Sequence, residues 1–236
     1  MELSKMSYLY PIMVNMQGRR CLVVGGGQVA ERKVHSLLQA GAQITIVSQT
    51  FTDYLTHIGS RKEVVLIWQS FDETIMLGES HKAAPYTLIV AATNDALVNR
   101  QVYEAASRQG QLVNVVDQPM LSSFIVPSVV RRGKLVMAVS TGGASPSAAR
   151  KIAQELDTMY GQEYESYLEF LSDVRLIVQA KIEDMKARQL LFKEMLEWDV
   201  LARIREGTFE SWKDELFTAL ENESAQSVIM AFGQQA

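Results

Sequence analysis

A chain of 236 residues, 47% apolar and 21% charged, can bury a full hydrophobic core and support one large domain with a smaller companion, which excludes a disordered protein. No apolar run approaches the roughly 18–20 residues of a spanning helix, and residues 1–5 (MELSK) open no signal-peptide hydrophobic region, so a cytoplasmic protein without a membrane partner is expected. The net charge of −4 hides an asymmetry: residues 1–154 carry 15 Lys/Arg against 10 Asp/Glu, and residues 155–236 carry 8 against 17.

In chain order, β-branched runs at residues 21–24, 44–47, 64–68, 87–92 and 112–116 read as strands, apolar on both faces. Residues 28–40 and 95–109 read as helices closed by Gly41 and Gly110. This alternation predicts an α/β fold, a Rossmann-type parallel sheet with crossover helices, over residues 1–117. Residues 124–130 and 134–140 read as two further strands joined by Arg131-Arg132-Gly133, a small α+β region over residues 118–155. From Pro146 the pattern is helical, with Leu168, Leu171, Val174, Val178, Ile182 and Met185 on one helix face. Residues 156–236 are thus expected to form a C-terminal helical domain with Phe192, Met195 and Trp198 in its core. The single cysteine, Cys21, sits in an apolar strand and reads as a buried, inert thiol. His35, His57 and His81 have no ligand spacing, so no metal site is expected.

Cys21-Leu22-Val23-Val24 runs into Gly25-Gly26-Gly27-Gln28-Val29-Ala30, a G-x-G-x-x-A at a strand-to-helix junction. Gly25 permits the tight turn, Gly27 lets backbone approach a pyrophosphate, and Ala30 lets the helix pack on the strand. A purely structural turn would use the same glycines, but the strand before, the helix after and a second strand ending near Val47 favour a dinucleotide. The pattern also calls for an acid about 20 residues on to hold the ribose 2′-hydroxyl. Val47-Ser48-Gln49-Thr50 has none, leaving the polar Ser48, Gln49 and Thr50 for the ribose. The nearest arginine is Arg61 and nothing obvious receives a 2′-phosphate, so NAD is expected over NADP.

Asp117 closes the last apolar strand at the sheet edge where open α/β folds bind ligands, and an acid there can serve as a general base beside a nicotinamide ring. A turn or helix-cap aspartate before Gln118-Pro119 is the plain alternative. Between Gln118 and Gln154 stand Arg131, Arg132, Lys134, Arg150 and Lys151 with no acid, a place for an anionic ligand. Nucleic acid is disfavoured by the acidic whole and the few aromatics in that stretch. Ser145 reads as an N-cap and Pro146 as the first helical residue. The N–H groups of that helix, with Arg150 and Lys151 one turn on, suit a carboxylate, although a capped helix that binds nothing has the same signature.

The stretches Tyr10-Pro11-Ile12, residues 23–33 (VVGGGQVAERK), residues 91–95 (AATND), residues 114–119 (NVVDQP), residues 123–128 (SFIVPS) and residues 140–146 (STGGASP) together resemble the precorrin-2 dehydrogenase family, the N-terminal module of siroheme synthases. The resemblance implies oxidation of precorrin-2 to sirohydrochlorin on the route to siroheme, with NAD as hydride acceptor. It implies a homodimer built through the central segment, residues 118–155. It puts the catalytic aspartate at Asp117 and cofactor contacts at Gln28, Val29, Gln49 and Thr50, beside Gly25, Gly27 and the Thr93 of AATND. The polycarboxylate tetrapyrrole is expected to meet Ser145, Arg131, Arg132, Lys134 and Arg150. Some family members also insert iron and some are fused to a methyltransferase; at 236 residues the fusion is not expected here, and iron insertion stays open. So do a non-catalytic NAD-sensing module docking on a partner through its helical tail and a dehydrogenase for another polycarboxylate.

Overall fold

The computed structural model describes residues 9–77 and 85–233, so residues 1–5 and His81 lie outside the described residues. Strands β1 (Arg20–Val24), β2 (Gln43–Ser48), β3 (Val65–Trp68), β4 (Leu88–Ala91) and β5 (Leu112–Val115) form one sheet in the order β3-β2-β1-β4-β5, every neighbouring pair parallel. Helices α1 (Gln28–Gln39), α2 (Asp53–Ser60), α3 (Thr74–Leu77) and α4 (Ala96–Arg108) lie between them. The chain leaves β1 for β2 and β3 on one side, then returns past β1 to β4 and β5. The order therefore reverses between β1 and β4, the switch point at which such sheets open a crevice.

Along β1, Cys21 and Val23 join a core with Ala30 and Val34 of α1 and Leu55 and Ile58 of α2, while Leu22 and Val24 join a second core with Val102, Ala105 and Ala106 of α4. Successive side chains of a strand point to opposite faces, and here helices cover both. That is why the runs are continuously apolar rather than alternating. The five expected strands and both expected helices are present. Gly41 ends α1 with φ +76°, its N–H donating to Leu38 O at 2.9 Å and that of Ala42 to Leu37 O at 3.1 Å. Those paired bonds form the glycine cap that satisfies the last carbonyls of a helix. The hydrophobic pattern does not announce α2, since eight residues with two buried positions are too few to show a period; Thr52 starts it by accepting the Leu55 N–H at 3.3 Å.

The sheet's compact unit runs to Val126 and a second begins at Pro127. Residues 118–126 stay with the sheet through β5. The Ser123 N–H donates to Val113 O at 2.8 Å, Ser122 Oγ accepts the Val115 N–H at 2.9 Å, and Asn114 Nδ2 donates to Phe124 O at 3.0 Å.

In the second unit, β6 (Ser128–Arg132) and β7 (Leu135–Val139) form an antiparallel hairpin. Its turn is displaced from the expected Arg131-Arg132-Gly133: both arginines lie within β6, paired with Val136 and Leu135, and the turn is Gly133-Lys134. A two-residue hairpin turn needs positive φ, and Gly133 supplies it at φ +51°. The strand also starts later than residue 124, beyond Pro127, which has no N–H to give. Among the described residues six helices follow: α5 (Pro146–Met159), α6 (Glu163–Lys181), α7 (Met185–Glu194), α8 (Val200–Glu206), α9 (Phe209–Asn222) and α10 (Ala225–Gly233). The single face expected from Leu168 to Met185 is broken. Ile182 is extended, Asp184 caps α7 by accepting the Lys186 N–H at 2.7 Å, and Met185 is exposed on that next helix. Met195 and Trp198 are buried, as expected, with Phe170, Trp212 and Leu216, and Phe192 packs against them. Among the described residues no helix is long and apolar enough to cross a membrane.

Cys21 is fully buried at the sheet centre, and burial pushes its thiol up to about 11 against a weaker opposing pull from the Leu88 backbone. The native protein at pH 8 is therefore expected to leave Ellman's reagent unreacted, while the urea-unfolded chain, with an ordinary thiol near 8.5, releases one equivalent. Fast stoichiometric release from the folded protein would contradict this burial.

Candidate functional site

The loops that leave β1, β2 and β4 close on one another through the first two glycines of the turn. Gly25 has φ +121°, its N–H donates to Val47 O at 2.9 Å, and a Cβ on it would lie 2.7 Å from the carbonyl carbon of Ala92. A Cβ on Gly26 would collide with the Thr50 carbonyl and stand 2.9 Å from Phe51 Cδ1 and from Ser48 Oγ. The Gly26 carbonyl in turn accepts the Thr52 N–H at 3.0 Å. The pattern G-x-G-x-x-A leaves Gly26 unspecified, and the sequence signal of its role is the run of three consecutive glycines.

Gly27 differs from its neighbours: it is the N-cap of α1 at φ −88°, and a Cβ there would meet nothing within 4 Å. With no capping side chain, the N–H groups of Gln28, Val29 and Ala30 have no partner within the helix. They lie at the positive end of a 12-residue helix, next to Gly27, where an added Cβ would have room. Ala30 is fully buried, as its packing role requires. The acid in the first turn, Glu31, is occupied by Thr52 Oγ1, which donates to it at 2.5 Å. Further along α1, burial and the neighbouring Arg32 cation hold the Lys33 ammonium below its ordinary range.

Thr93, beyond β4, is fixed by Asn99. The Thr93 N–H lies 3.2 Å from Asn99 Oδ1, the Thr93 hydroxyl 2.8 Å from the same oxygen, and Asn99 Nδ2 donates to Thr93 O at 3.0 Å. Asn99 is buried, and a polar residue on an otherwise apolar helix face is the sequence sign of its role. Gln49 and Thr50 are exposed beyond β2, with Gln49 Nε2 donating to Ser70 Oγ at 2.7 Å. Arg61 stands at the far end of α2, just before β3 begins, paired with Glu63 at 2.9 Å. It belongs to the opposite, amino-terminal edge of the sheet.

Asp117 follows β5 in a turn closed by the Gln118 N–H on Val115 O at 3.2 Å, and the Val116 N–H donates to Ala91 O at 2.9 Å, beside the loop of β4. Its φ of +60° is the left-handed conformation that aspartate and asparagine tolerate better than other side chains. The helix-cap alternative is excluded, since Gln118 holds the cap position of the short turn Pro119–Leu121. The backbone of Asp117 makes the turn, while its exposed carboxylate has no hydrogen bond or ion pair among the described residues. Ser122 Oγ lies 3.2 Å from both Val115 O and Gln118 O and so anchors the two ends of that turn.

In the second unit, Ser145 caps α5 by accepting the Ala148 N–H at 3.2 Å. Because Pro146 has no N–H, Ser147 keeps the one first-turn donor left to a carboxylate. Arg131, Lys134 and Arg150 are exposed. Arg132 is spent on its neighbours: its guanidinium donates to the Asp157 carboxylate at 2.8 Å, the Asp157 carbonyl at 2.9 Å and the Arg131 carbonyl at 2.9 Å. The stretch without acids in sequence thus meets Asp157 and, beside Gly133, Glu165 in space.

A family model described as "Putative NAD(P)-binding" matches residues 12–128. The chain is 38% identical over 216 residues to a siroheme synthase of Nitrosococcus oceani, covering 92% of this chain and 44% of the relative. It is 34% identical over 221 residues to a siroheme synthase of Nitrosomonas europaea, covering 94% and 45%. The chain therefore spans less than half the length of these relatives. The solved structure of "SirC, precorrin-2 dehydrogenase" superposes with a TM-score of 0.73 at 27% identity, covering 91% of this chain and all of that one.

The open space at Gly27 makes a clean test of the glycine loop. Gly27→Asp introduces a good helix N-cap where nothing obstructs it, so the melting temperature is expected to hold or rise, while NAD binding measured by calorimetry is lost to the added carboxylate. Undiminished NAD affinity in the folded variant would make the turn purely structural.

Proposed function

The chain belongs to the siroheme synthase N-terminal and precorrin-2 dehydrogenase family, and we propose that it oxidises precorrin-2 to sirohydrochlorin with NAD as the hydride acceptor. The observation that carries this reading is the coincidence, on one sheet edge, of an uncapped helix N-terminus behind Gly27 and the unpaired carboxylate of Asp117 two loops away. The loop fits the cofactor: the first two glycines have no room for side chains, and the third has room around it at an uncapped helix N-terminus. NAD, when bound, accepts a hydride.

Gln28 and Val29 offer their N–H groups to the pyrophosphate, Gln49 and Thr50 lie where a ribose would be held, and Thr93 is braced by Asn99 on the neighbouring loop. The absence of an arginine at the carboxyl end of β2, with Arg61 bound to Glu63 at the other edge, supports NAD over NADP. Loss of a hydride and a proton leaves the substrate two electrons oxidised. NAD, if bound at the glycine loop, would supply the acceptor for the hydride, and the Asp117 carboxylate takes the proton. Arg131, Lys134 and Arg150 are the exposed cations assigned to the substrate carboxylates, with the Ser145 hydroxyl keeping its proton to donate. Arg132 keeps a supporting role through Asp157. The two open edges of the β6–β7 hairpin and the half-exposed Val129 support a homodimer through this segment.

Anaerobic incubation with precorrin-2 and NAD is expected to yield sirohydrochlorin and NADH in equal amounts; NAD binding without turnover would leave a dinucleotide-sensing module. Asp117→Asn tests the aspartate, because asparagine tolerates the same left-handed backbone and lacks only the charge. NAD affinity and melting temperature are expected to stay near wild type while turnover falls by about 10²–10⁴. Near-normal turnover with a lowered melting temperature would reduce Asp117 to a turn residue.

A further inference from the structure

β3 ends at Trp68, whose register partner is Ser48, the last residue of β2. Trp68 is 59% exposed on the same edge as the glycine loop, a large apolar residue left largely to water. It meets the Phe51 ring edge to face, centroids 4.6 Å apart and planes at 78°. Phe51 packs on the core below and abuts Gly26, its Cδ1 2.9 Å from where a Cβ on that glycine would stand. A line of contacts therefore runs from the glycine loop through Phe51 to Trp68 across β1, β2 and β3, two strand spacings or about 10 Å. That is the direction and scale of an adenosine extending from its pyrophosphate. The side chains bordering the indole in sequence and register, Gln49, Thr50, Gln69 and Ser70, are polar and uncharged.

We infer that the Trp68 indole, oriented by Phe51, is the platform on which the adenine of the dinucleotide stacks. The inference rests on the dinucleotide reading above and adds what holds the adenosine half where the acid expected after β2 is missing. Aromatic stacking suits the place because every base has a π-face and needs no charged partner. It also gives a role to an indole that packing alone leaves mostly in water.

The test uses the full chain with NAD and with ADP-ribose, which carries the adenine but no nicotinamide. Trp68→Leu keeps apolar bulk and removes the aromatic face, whereas Trp68→Phe keeps a face. The leucine variant is expected to weaken both ligands by about five- to a hundredfold, with the phenylalanine variant recovering most of the affinity and both melting near wild type. ADP-ribose should also quench wild-type tryptophan fluorescence and leave that of Trp68→Phe, which retains Trp198 and Trp212, unchanged. Wild-type affinity in Trp68→Leu, or equal weakening in both variants, would overturn the platform and leave the dinucleotide reading standing. Wild-type protein that binds neither NAD nor ADP-ribose would overturn both.

Discussion

The site depends on a steric constraint: at Gly25 and Gly26 no side chain can exist without displacing the backbone of a neighbouring loop. The carbonyl carbon of Ala92 stands 2.7 Å from one missing Cβ and Phe51 Cδ1 2.9 Å from the other. These approaches pull the loops after β2 and β4 onto the turn after β1, where the strand order reverses. The open N-terminus of α1, the braced Thr93 and the aromatic pair beyond β2 all take their places from that closure. Adding one methyl group at either glycine would separate elements that lie far apart in the chain.

The edge divides the work between rigid and available groups. Backbone N–H donors behind Gly27 are preorganised by the helix, so binding an anion there requires no side-chain ordering. Thr93 is locked by a buried asparagine, and Asp117 is fixed through its backbone while its carboxylate stays unpaired. A positioned acid with no competing partner is what proton removal needs. In the second unit the cations divide in the same way, with Arg132 bound to Asp157 and Arg131, Lys134 and Arg150 exposed.

What could be read from the sequence was what local chemistry dictates. Strands buried on both faces announce themselves as apolar runs, and the glycine loop, the Ser145 cap and the position of Asp117 at a strand end follow from neighbouring residues. Contacts that join distant parts of the chain were not legible. The hairpin turn moved to Gly133-Lys134 because positive φ outweighed the polarity of Arg131 and Arg132. The helix face ending in Met185 broke because Asp184 found a capping bond that periodicity does not register. Arg132 met an acid 25 positions away, and Trp68 met Phe51 across two strands. The family motifs pointed to the cofactor edge, but not to Gly26, Asn99 or the aromatic pair that complete it.

The central claim is that a dinucleotide lies along this carboxyl edge, its pyrophosphate on the uncapped turn of α1. Amide hydrogen exchange of the full chain with and without saturating NAD tests it most directly, because the donors concerned are backbone groups. The account predicts that NAD slows exchange at Gln28 and Val29 and in the loop residues Gln49, Thr50 and Thr93. Protection confined to the helices beyond Pro127, or bound NAD that leaves the Gln28 and Val29 amides unchanged, would contradict it.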